Sequence, residues 1–458
     1  MTETGRRGIL STLFALAWPT MLEQLMQTAV QYIDTAMVGS LGTEATAAVG
    51  STTTVNWLIG STVSAIGIGF LSFISQSIGA GKTDKIKQAT AQALLAVLAV
   101  GAFFTALTLS LSGYVPRWMQ VDEEILGTAS AYFFILYTPM LFRTASIIFG
   151  TALRAAGDTK TPMRVGIAVN VTNVTLNFLF IYPTRSASIF GSSFLIPGAG
   201  LGVIGAGIAS AIAFALGGIL ITVAVLRHPM LSPIGVSLRP RAEILIPCLK
   251  VAFPNALQRF GTSLGYVAFA AMVNSLGDIS TAAHTVANTV ESAFYIPGYG
   301  MQAATATLAG NAYGAKNSDK IRELGKTALL VEVALMTVSG ALLFFSAPFM
   351  VRLFSKDQAV IELGITVLRM VALSEPFYGV SIIIEGMLQG MGRTVMPFVA
   401  NVTGMWAVRI IGTFICTQLL GYGLVSAWAC MILHNLLLFA TFTVYYTARR
   451  KDPLGSHR

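Results

Sequence analysis

Long apolar stretches alternate along the whole chain with short segments rich in glycine, proline and charged residues. A bilayer core requires roughly 20 consecutive apolar residues in a helix that crosses it. Runs of that length predict twelve membrane-spanning helices, near 9–38, 51–78, 89–112, 128–152, 165–183, 201–226, 251–275, 284–312, 325–348, 363–388, 395–418 and 423–447. The pattern therefore predicts an all-α integral membrane protein with twelve transmembrane helices.

The composition excludes the soluble classes of protein. Charged residues make up 11% of the chain and hydrophobic residues 54%, whereas a soluble domain has about 25% charged residues. The mean hydropathy is +0.72. Too few charges are present to cover a water-soluble globule of this size, so a soluble enzyme, a secreted disulfide scaffold and a disordered chain are excluded.

The basic residues predict the orientation in the membrane. If the N-terminus is cytoplasmic, 21 of the 29 lysines and arginines fall in inside segments, four fall outside (Arg117, Arg185, Arg352, Lys356) and four fall within spans (Arg143, Arg259, Arg369, Arg409). Cytoplasmic loops carry such an excess. We therefore expect a multi-pass protein of the cytoplasmic membrane with both termini in the cytoplasm. Because the positive charge is spread over all the inside segments, a nucleic-acid partner is not expected.

The chain repeats itself at an offset of 235 residues. Pro19 aligns with Pro254, Gly79 with Gly314, and Gly157-Asp158-Thr159 with Gly392-Arg393-Thr394, a segment in which the glycine and the threonine match. Each half contains six predicted spans, an even number, so the halves enter the membrane in the same direction and form a parallel repeat. We predict an N-lobe at 1–226, a cytoplasmic linker at 227–250 and a C-lobe at 251–458, with the substrate in a cleft between the lobes.

Polar residues recur at helical spacing inside three spans and predict polar helix faces. The sets are Gln24, Gln27, Gln31 and Asp34; Asn170, Asn173 and Asn177; and His284, Asn288, Glu291 and Tyr295. One interpretation is interhelical hydrogen bonding, at about 0.6 kcal/mol per pair. A stripe that contains a carboxylate favours a functional role, because intramembrane acids are costly.

Other ionisable residues within the spans lead to separate expectations. Glu375 lies near the middle of the tenth span. Glu332 is expected to pair with a buried arginine, and Glu385 to extend to the inner interface. The arginines at 143, 259 and 409 are expected to bridge helices, or alternatively to contact an anionic substrate.

Three motifs resemble the multidrug and toxic compound extrusion (MATE) family. They are "WPTMLEQL" (18–25), "FGTALRAAGDTKTP" (149–162) and "VESAFYIPGYGMQAATATLAGNAYGA" (290–315). The resemblance covers nearly the whole chain and implies a two-lobed, twelve-helix exporter driven by inward flow of protons or sodium ions. "NVTLNFLFIY" (173–182) is closer to the NorM-type branch, since DinF-type members typically have an aspartate at the position of Asn177.

The resemblance also implies an ion-coupling site. Asp34 corresponds to the first-helix carboxylate of the N-lobe cation site, with Asn173 and Asn177 beside it and Ser210 as a further member. The glutamate that some members have in the seventh span has no clear counterpart, because Gln258-Arg259 occur there.

The expected function is a cation-coupled antiporter, driven by protons or sodium, that exports small amphipathic organic compounds, cationic or neutral. The residues expected in the substrate cavity are Gln27, Gln31, Asn170, Asn288, Glu291, Tyr295 and Glu375. No cofactor and no firm metal site are expected, although sodium would bind at the Asp34 cluster. The expected partners are a small organic substrate and the lipid bilayer, with a monomeric chain.

The alternative function is a flippase for a lipid-linked precursor, from the same broad superfamily. Such a protein usually has more spans and a basic cavity, in contrast to the acid–amide cavity expected here. A membrane-embedded enzyme would require a clustered acid–base or metal constellation, and a parallel two-lobed repeat disfavours a channel.

Overall fold

The computed structural model describes residues 6–189, 192–450 and 452–454. The helices of the first half are α1 (Arg6–Gly39), α2 (Thr43–Gly79), α3 (Thr83–Leu111), α4 (Val115–Trp118), α5 (Glu123–Tyr137), α6 (Met140–Ala155), α7 (Lys160–Phe180) and α8 (Gly202–Arg227). Those of the second half are α9 (Ala242–Asn274), α10 (Asp278–Phe294), α11 (Ile296–Gly314), α12 (Ser318–Phe354), α13 (Gln358–Ala372), α14 (Glu375–Gly390), α15 (Val395–Thr403), α16 (Ile411–Phe414) and α17 (Leu424–Arg449), with π-helical segments at Gly404–Ile410 and Ile415–Leu419.

Each of the twelve predicted spans coincides with a helix or an interrupted helix among these residues. Seven helices are long and apolar enough to cross a membrane, and the bent pairs α5–α6 (45°) and α13–α14 (52°) raise the number to nine. The remaining predicted spans, in α7, α9 and α10–α11, are helical but contain more polar residues. The helical membrane architecture is thus present, and the count of twelve spans stays a prediction.

The two bends occur at positions related by the internal repeat. The first break, at Thr138-Pro139, lies 235 residues before the second, at Leu373-Ser374. Just after the second break, Pro376 occupies the first turn of α14. Since proline lacks the N–H that would continue the helical ladder, it favours a new helix start at both places.

By their contacts the described residues form two compact units. One contains Leu22–Phe70 and Thr83–Ile246, and the other contains Met1–Met21, Leu71–Lys82 and Pro247–Arg458. The predicted lobes place 1–21 and 71–82 with the first half instead. Within the second unit, Leu13 and Ala17 of α1 belong to the same buried apolar cluster as Met301 and Ile383. The division into an N-lobe and a C-lobe stays a prediction.

The end of α2 crosses α11 at closely approaching glycines inside the second unit. A Cβ atom at Gly79 would overlap the backbone carbonyl of Asn311, and one at Gly314 would overlap the carbonyl of Gln76. These two contacts exchange under the 235-residue offset. Small residues that allow such backbone approach are typical of helix packing in membranes.

A β-hairpin corrects the all-α prediction. Between α7 and α8, β1 (Pro183–Ile189) pairs antiparallel with β2 (Ser192–Ala199). The Thr184 hydroxyl accepts a hydrogen bond from the Gly198 N–H and donates one to the Gly198 carbonyl, both at 3.1 Å. The apolar-run criterion does not detect strands this short, because it counts length and hydropathy only.

The linker is shorter than predicted and is held by one glutamine. Because α9 begins at Ala242, only 228–241 of the predicted 227–250 segment lies between helices. The fully buried Gln92 of α3 donates from Nε2 to the Arg239 carbonyl (2.9 Å). Its Oε1 accepts from the Arg241 N–H (3.0 Å). The Gln92 side chain thus joins the linker to α3 through two hydrogen bonds, one to a backbone carbonyl and one from a backbone N–H of the linker.

Candidate functional site

The structure brings the four predicted ion-coupling residues together. Asp34 comes from α1, Asn173 and Asn177 from α7, and Ser210 from α8. Asn177 Nδ2 donates to Asp34 Oδ1 at 2.6 Å. Asn173 and Asn177 lie one helical turn apart and are both buried, while Asp34 and Ser210 are half-buried. The 3.6-residue helix period accounts for the alignment of the two amides toward one carboxylate.

The amide of Asn173 links Asp34 to Ser210. With its nitrogen toward α1, Asn173 donates to Asp34 Oδ1 (2.8 Å) and Oδ2 (3.1 Å), and its oxygen accepts from the Ser210 hydroxyl (3.1 Å). We assign this orientation from the hydrogen-bond partners. In the opposite orientation Asn173 accepts from Asn177 (3.1 Å) and donates to Ser210 (3.1 Å). In the assigned orientation both Asn173 and Asn177 direct amide donors at Asp34, which favours this orientation over the other.

The hydrogen-bond partners of the Asp34 carboxylate in the described chain are neutral amides. No lysine, arginine or histidine of the described chain lies within salt-bridge distance of it. On the same helix, both carboxylate oxygens of Glu23 instead accept hydrogen bonds from Arg154 Nη2, at 2.7 Å each. Asn177 Oδ1 is buried and has no hydrogen-bond partner in the described part of the chain. A small cation at this site would find oxygen ligands in Asp34 and Asn177.

Sequence analysis missed two tyrosines of this unit. Tyr132 of α5 is buried and close enough for electrostatic interaction with Asp34. Tyr182, just after α7, places its hydroxyl 2.8 Å from Ser40 Oγ and donates to the Met37 carbonyl at 3.3 Å. These contacts hold the end of α1 against α7. A tyrosine in an apolar run gives no periodic signal that would distinguish it from a core residue.

The other predicted residues of the same unit do not join the cluster. Gln27 and Gln31 are exposed and Asn170 is half-buried. None of the three side chains makes a hydrogen bond with another described residue. Their assignment to a substrate cavity stays a prediction.

In the second unit, Glu291 and Glu375 are buried, Tyr295 is half-buried and Asn288 is exposed. Glu375 is close enough to Glu291 for like-charge interaction. Neither acid has an ion-pair partner within the described ranges. Arg409 is close enough to Glu291 for electrostatic attraction, whereas Glu375 has only the acids Glu291 and Glu332 as charged neighbours in the described chain.

The expected pairing of Glu332 is wrong. Its side chain is fully buried on α12, and neither carboxylate oxygen has a hydrogen-bond partner among the residues that the structure describes. It packs against Gly298 and Gly379, and Glu375 lies near enough to interact with it electrostatically. The apolar helix positions around it offer no arginine.

Tyrosines, which the sequence analysis did not single out as a group, accompany these acids. The hydroxyls of Tyr299 and Tyr378 lie 3.1 Å apart. The rings of Tyr295 and Tyr299 meet edge to face, with centroids 5.6 Å apart. Such a surface offers both π faces and hydroxyl groups to a ligand.

Glu385 does not extend to the interface as expected. Its Oε1 accepts from Gln258 (2.9 Å) and Gln389 (3.0 Å), and its Oε2 accepts from Asn401 (3.2 Å). Gln258 and Gln389 are the repeat counterparts of Glu23 and Arg154. Where the first half has the Glu23–Arg154 ion pair, the second half therefore has two glutamines. Both glutamines donate to the carboxylate of Glu385, which lies one turn before Gln389 on α14.

Two of the three buried arginines bridge helices, as expected. Arg143 of α6 donates to Asn56 of α2 and lies 4.9 Å from the centroid of the Phe214 ring of α8. Arg409 stacks on two aromatic rings of α9.

Arg259 differs from the other two arginines. Its side chain donates a hydrogen bond from Nε to Asn255 Oδ1, one turn away on its own helix α9, at 3.0 Å. Bridging by Arg259 is therefore not supported.

Comparison with known proteins identifies the family. The family model described as MatE matches residues 19–179 and again residues 254–415, which together exceed two thirds of the chain. The chain belongs to the MatE family. The two matches begin 235 residues apart, the offset of the internal repeat.

Relatives of similar length support the assignment to the MatE family. The chain is 26% identical over 420 residues to a probable multidrug resistance protein NorM of Thermotoga maritima, covering 92% of this chain and 88% of that protein. It is 24% identical over 429 residues to a probable NorM of Neisseria meningitidis, covering 92% and 90%. Similarity thus extends along the whole MatE chain.

Solved structures share the fold. An outward-facing multidrug resistance MATE family transporter has a TM-score of 0.89 at 21% identity, covering 98% of this chain and 99% of that one. A MOP superfamily transporter from Pyrococcus furiosus has a TM-score of 0.86 at 22% identity, with the same coverage. At this level of identity the likeness shows the fold alone.

Proposed function

We propose that this MatE protein is a multidrug efflux antiporter of the cytoplasmic membrane, in which an inward-moving proton or sodium ion is exchanged at Asp34 for outward-moving substrate. The names of its relatives support efflux. The observation that carries the coupling site is the contrast between two acids of α1. Glu23 has a permanent cationic partner in Arg154, whereas Asp34 has only amides.

An intramembrane carboxylate without a fixed counter-charge is expensive. It can be neutralised by a proton or by a bound cation, and both are mobile. The amide donors of Asn173 and Asn177 stabilise the charged form between binding events. A bound proton would remove the charged acceptor of these donors, and a bound sodium ion would compete with them for the carboxylate oxygens, so in both cases the hydrogen-bond network of α1, α7 and α8 would rearrange. Ion binding is thereby coupled to the packing of three helices.

We propose cationic or neutral amphipathic compounds as the substrates. The buried acids Glu291 and Glu375 form no salt bridge among the described residues, although Arg409 is close enough to Glu291 for electrostatic attraction. A positively charged ligand would compensate them, and the tyrosines of α11 and α14 would contact its apolar parts. The flippase alternative is not favoured, because the relatives are named for multidrug resistance.

The decisive experiment is transport into inverted proteoliposomes with proton and sodium gradients imposed separately. Asp34→Asn keeps the size of the side chain and removes its charge. It should fold and yet lose gradient-driven uptake of an organic cation, while Asp34→Glu should retain part of it. The matched control is Glu44→Gln, which removes an exposed carboxylate from the start of α2. Full gradient-driven uptake by Asp34→Asn would overturn the assignment.

The substrate proposal has its own test in the same vesicles. Glu291→Gln should slow uptake of cationic compounds more than uptake of neutral ones, because only the former need the carboxylate. Glu362→Gln, on the exposed face of α13, is the matched control. An equal effect on both classes of compound would contradict a charge-based role.

A further inference from the structure

A groove runs along the second unit between the start of α15 and the end of α17. Its volume is about 740 Å³. Both helices belong to apolar stretches long enough to cross a membrane, Val395–Leu419 and Leu424–Arg449. The groove is lined by the first turn of one and the last turns of the other, so it lies where two antiparallel spans leave the same side of the membrane.

The walls of the groove are apolar and open to the bilayer. Val395 and Val399, on the α15 wall, are 61% and 53% exposed, and Met396 and Ala400 lie between them and the protein. On a membrane-spanning helix, exposed aliphatic side chains face lipid. α17 packs mainly on α14 and on the π-helical segment Gly404–Ile410 and only slightly on α15, which leaves the groove unfilled.

One end of the groove is positively charged. Arg393, which precedes α15, and Arg449, the last residue of α17, line it together with Tyr445. Arg393 lies 5.6 Å from the centroid of the Tyr313 ring, and Arg449 lies 6.0 Å from that of Tyr445. No described aspartate or glutamate forms a salt bridge with either arginine. Their donors are therefore available to an external anion.

A second, small cavity extends the charged end. It shares Arg393, Tyr445 and Arg449 with the groove and adds Arg450. Three arginines thus line adjoining parts of this end of the groove, beside its apolar walls. The fold does not require this charge, because the repeat counterpart of Arg393 in the first half is the acidic Asp158.

We propose that this groove binds an anionic glycerophospholipid, with its phosphate between Arg393 and Arg449 and an acyl chain along Val395 and Val399. Guanidinium groups bind phosphate oxygens bidentately, and basic pockets between spans at the cytoplasmic surface bind anionic headgroups. An organic cation is excluded as the occupant by the paired arginines. A zwitterionic lipid offers the same chains with no net charge and therefore gains less from this end of the groove.

The inference rests on the membrane location of the proposed function but not on transport. The test is native mass spectrometry of protein released from nanodiscs that contain phosphatidylcholine and phosphatidylglycerol. The wild-type protein should retain phosphatidylglycerol preferentially. Arg393→Gln/Arg449→Gln should reduce that retention at least about tenfold, since each basic residue near the surface adds to anionic lipid binding.

The matched control is Lys82→Gln/Lys85→Gln, which removes two exposed charges from the α2–α3 turn, a segment on the same predicted side of the membrane. It should retain the lipid as the wild type does. Arg393→Lys/Arg449→Lys keeps both positive charges and should retain most of the phosphatidylglycerol. This variant shows whether lipid loss in the glutamine variant comes from the missing charge and not from misfolding. Equal retention of the two lipids, or an equal loss in the Lys82/Lys85 variant, would overturn the proposal. Because the measured quantity is bound lipid, failure of ion coupling would leave this result unaffected.

Discussion

Glu23 and Asp34 lie on one helix, and their environments give them different tasks. Glu23 is neutralised by Arg154 at 2.7 Å, and this fixed pair links α1 to α6. Asp34 meets the amides of Asn173 and Asn177 instead. A fixed counter-charge makes a carboxylate a structural cross-link, whereas its absence leaves the carboxylate available for the ion exchange that we propose at Asp34. Residue type alone does not distinguish the two roles.

We expect Glu23→Gln to destabilise the protein by roughly 1–3 kcal/mol, because it leaves a partly buried guanidinium without its carboxylate. The double variant Glu23→Gln/Arg154→Gln should recover most of the loss, because it removes the carboxylate and the guanidinium together. That double variant also reproduces the glutamines found at the related positions 258 and 389. Thermal unfolding of the purified protein measures both effects. If the two substitutions were simply additive, the proposed cross-link would be disproved.

Helical spacing predicted the two asparagines that face Asp34, but it did not predict the neighbours of the other buried acids. The interval between Asn173 and Asn177 placed two amides on one face, and the structure brings both near Asp34. The position of Ser210 came from family resemblance, and the structure places its hydroxyl 3.1 Å from the Asn173 side chain. The neighbours of Glu332 and Glu385 could not be predicted, because one helix carries no information on which residues of other helices face it.

At the scale of elements, the linker between the halves depends on Gln92. Gln92→Leu removes both hydrogen bonds to the backbone of Arg239 and Arg241, and buried peptide groups left without partners cost about 1–3 kcal/mol each. The linker should therefore detach from α3. Limited trypsin digestion of the purified protein should cut after Arg241 several times faster in the variant.

Gln88→Leu, one turn earlier on α3, is the matched control for Gln92→Leu. It changes the same residue type on the same helix, and Gln88 makes no hydrogen bond to the described linker residues. Its digestion should follow that of the wild type. Unchanged cleavage after Arg241 in Gln92→Leu would mean that other contacts hold the linker.

Apolar runs predicted where the helices lie but not how they are interrupted. Helices occupy the positions of all the predicted spans in the described chain, since burial of apolar length in a bilayer requires them. The π-helical segments at Gly404–Ile410 and Ile415–Leu419 gave no hydropathy signal. At Gly404 the backbone approaches His434 of α17, where a Cβ atom would lie 2.7 Å from the imidazole Cδ2. Such irregularities arise from packing between helices, which sequence periodicity does not encode.

The two halves of the chain repeat one order of helices but carry different side chains. Family matches that start at 19 and 254, and helix breaks at 138–139 and 373–374, repeat at the same offset. The chemistry does not repeat. Glu23 and Arg154 correspond to two glutamines, and the position of Glu291 corresponds to Asn56. A duplicated scaffold therefore carries a carboxylate–amide site in its first half and a set of buried acids in its second.

The parallel repeat requires that related loops lie on the same side of the membrane. The α2–α3 turn and its counterpart between α11 and α12 should both be cytoplasmic, given the 21 basic residues predicted inside against four outside. The β1–β2 hairpin should be external. Single cysteines at Lys85, Lys320 and Ser186, all exposed, report these three locations in a background without Cys248, Cys416 and Cys430.

A membrane-impermeant thiol reagent applied to intact cells should label the cysteine at 186 and neither of the others. In inverted vesicles the pattern should reverse, with the cysteines at 85 and 320 labelled equally. The two loops act as controls for each other, because a parallel repeat with six spans per half places them on one side whatever the absolute orientation. Labelling of 85 and 320 from opposite sides would require an odd number of spans between them, and the parallel arrangement of the two halves would then be wrong.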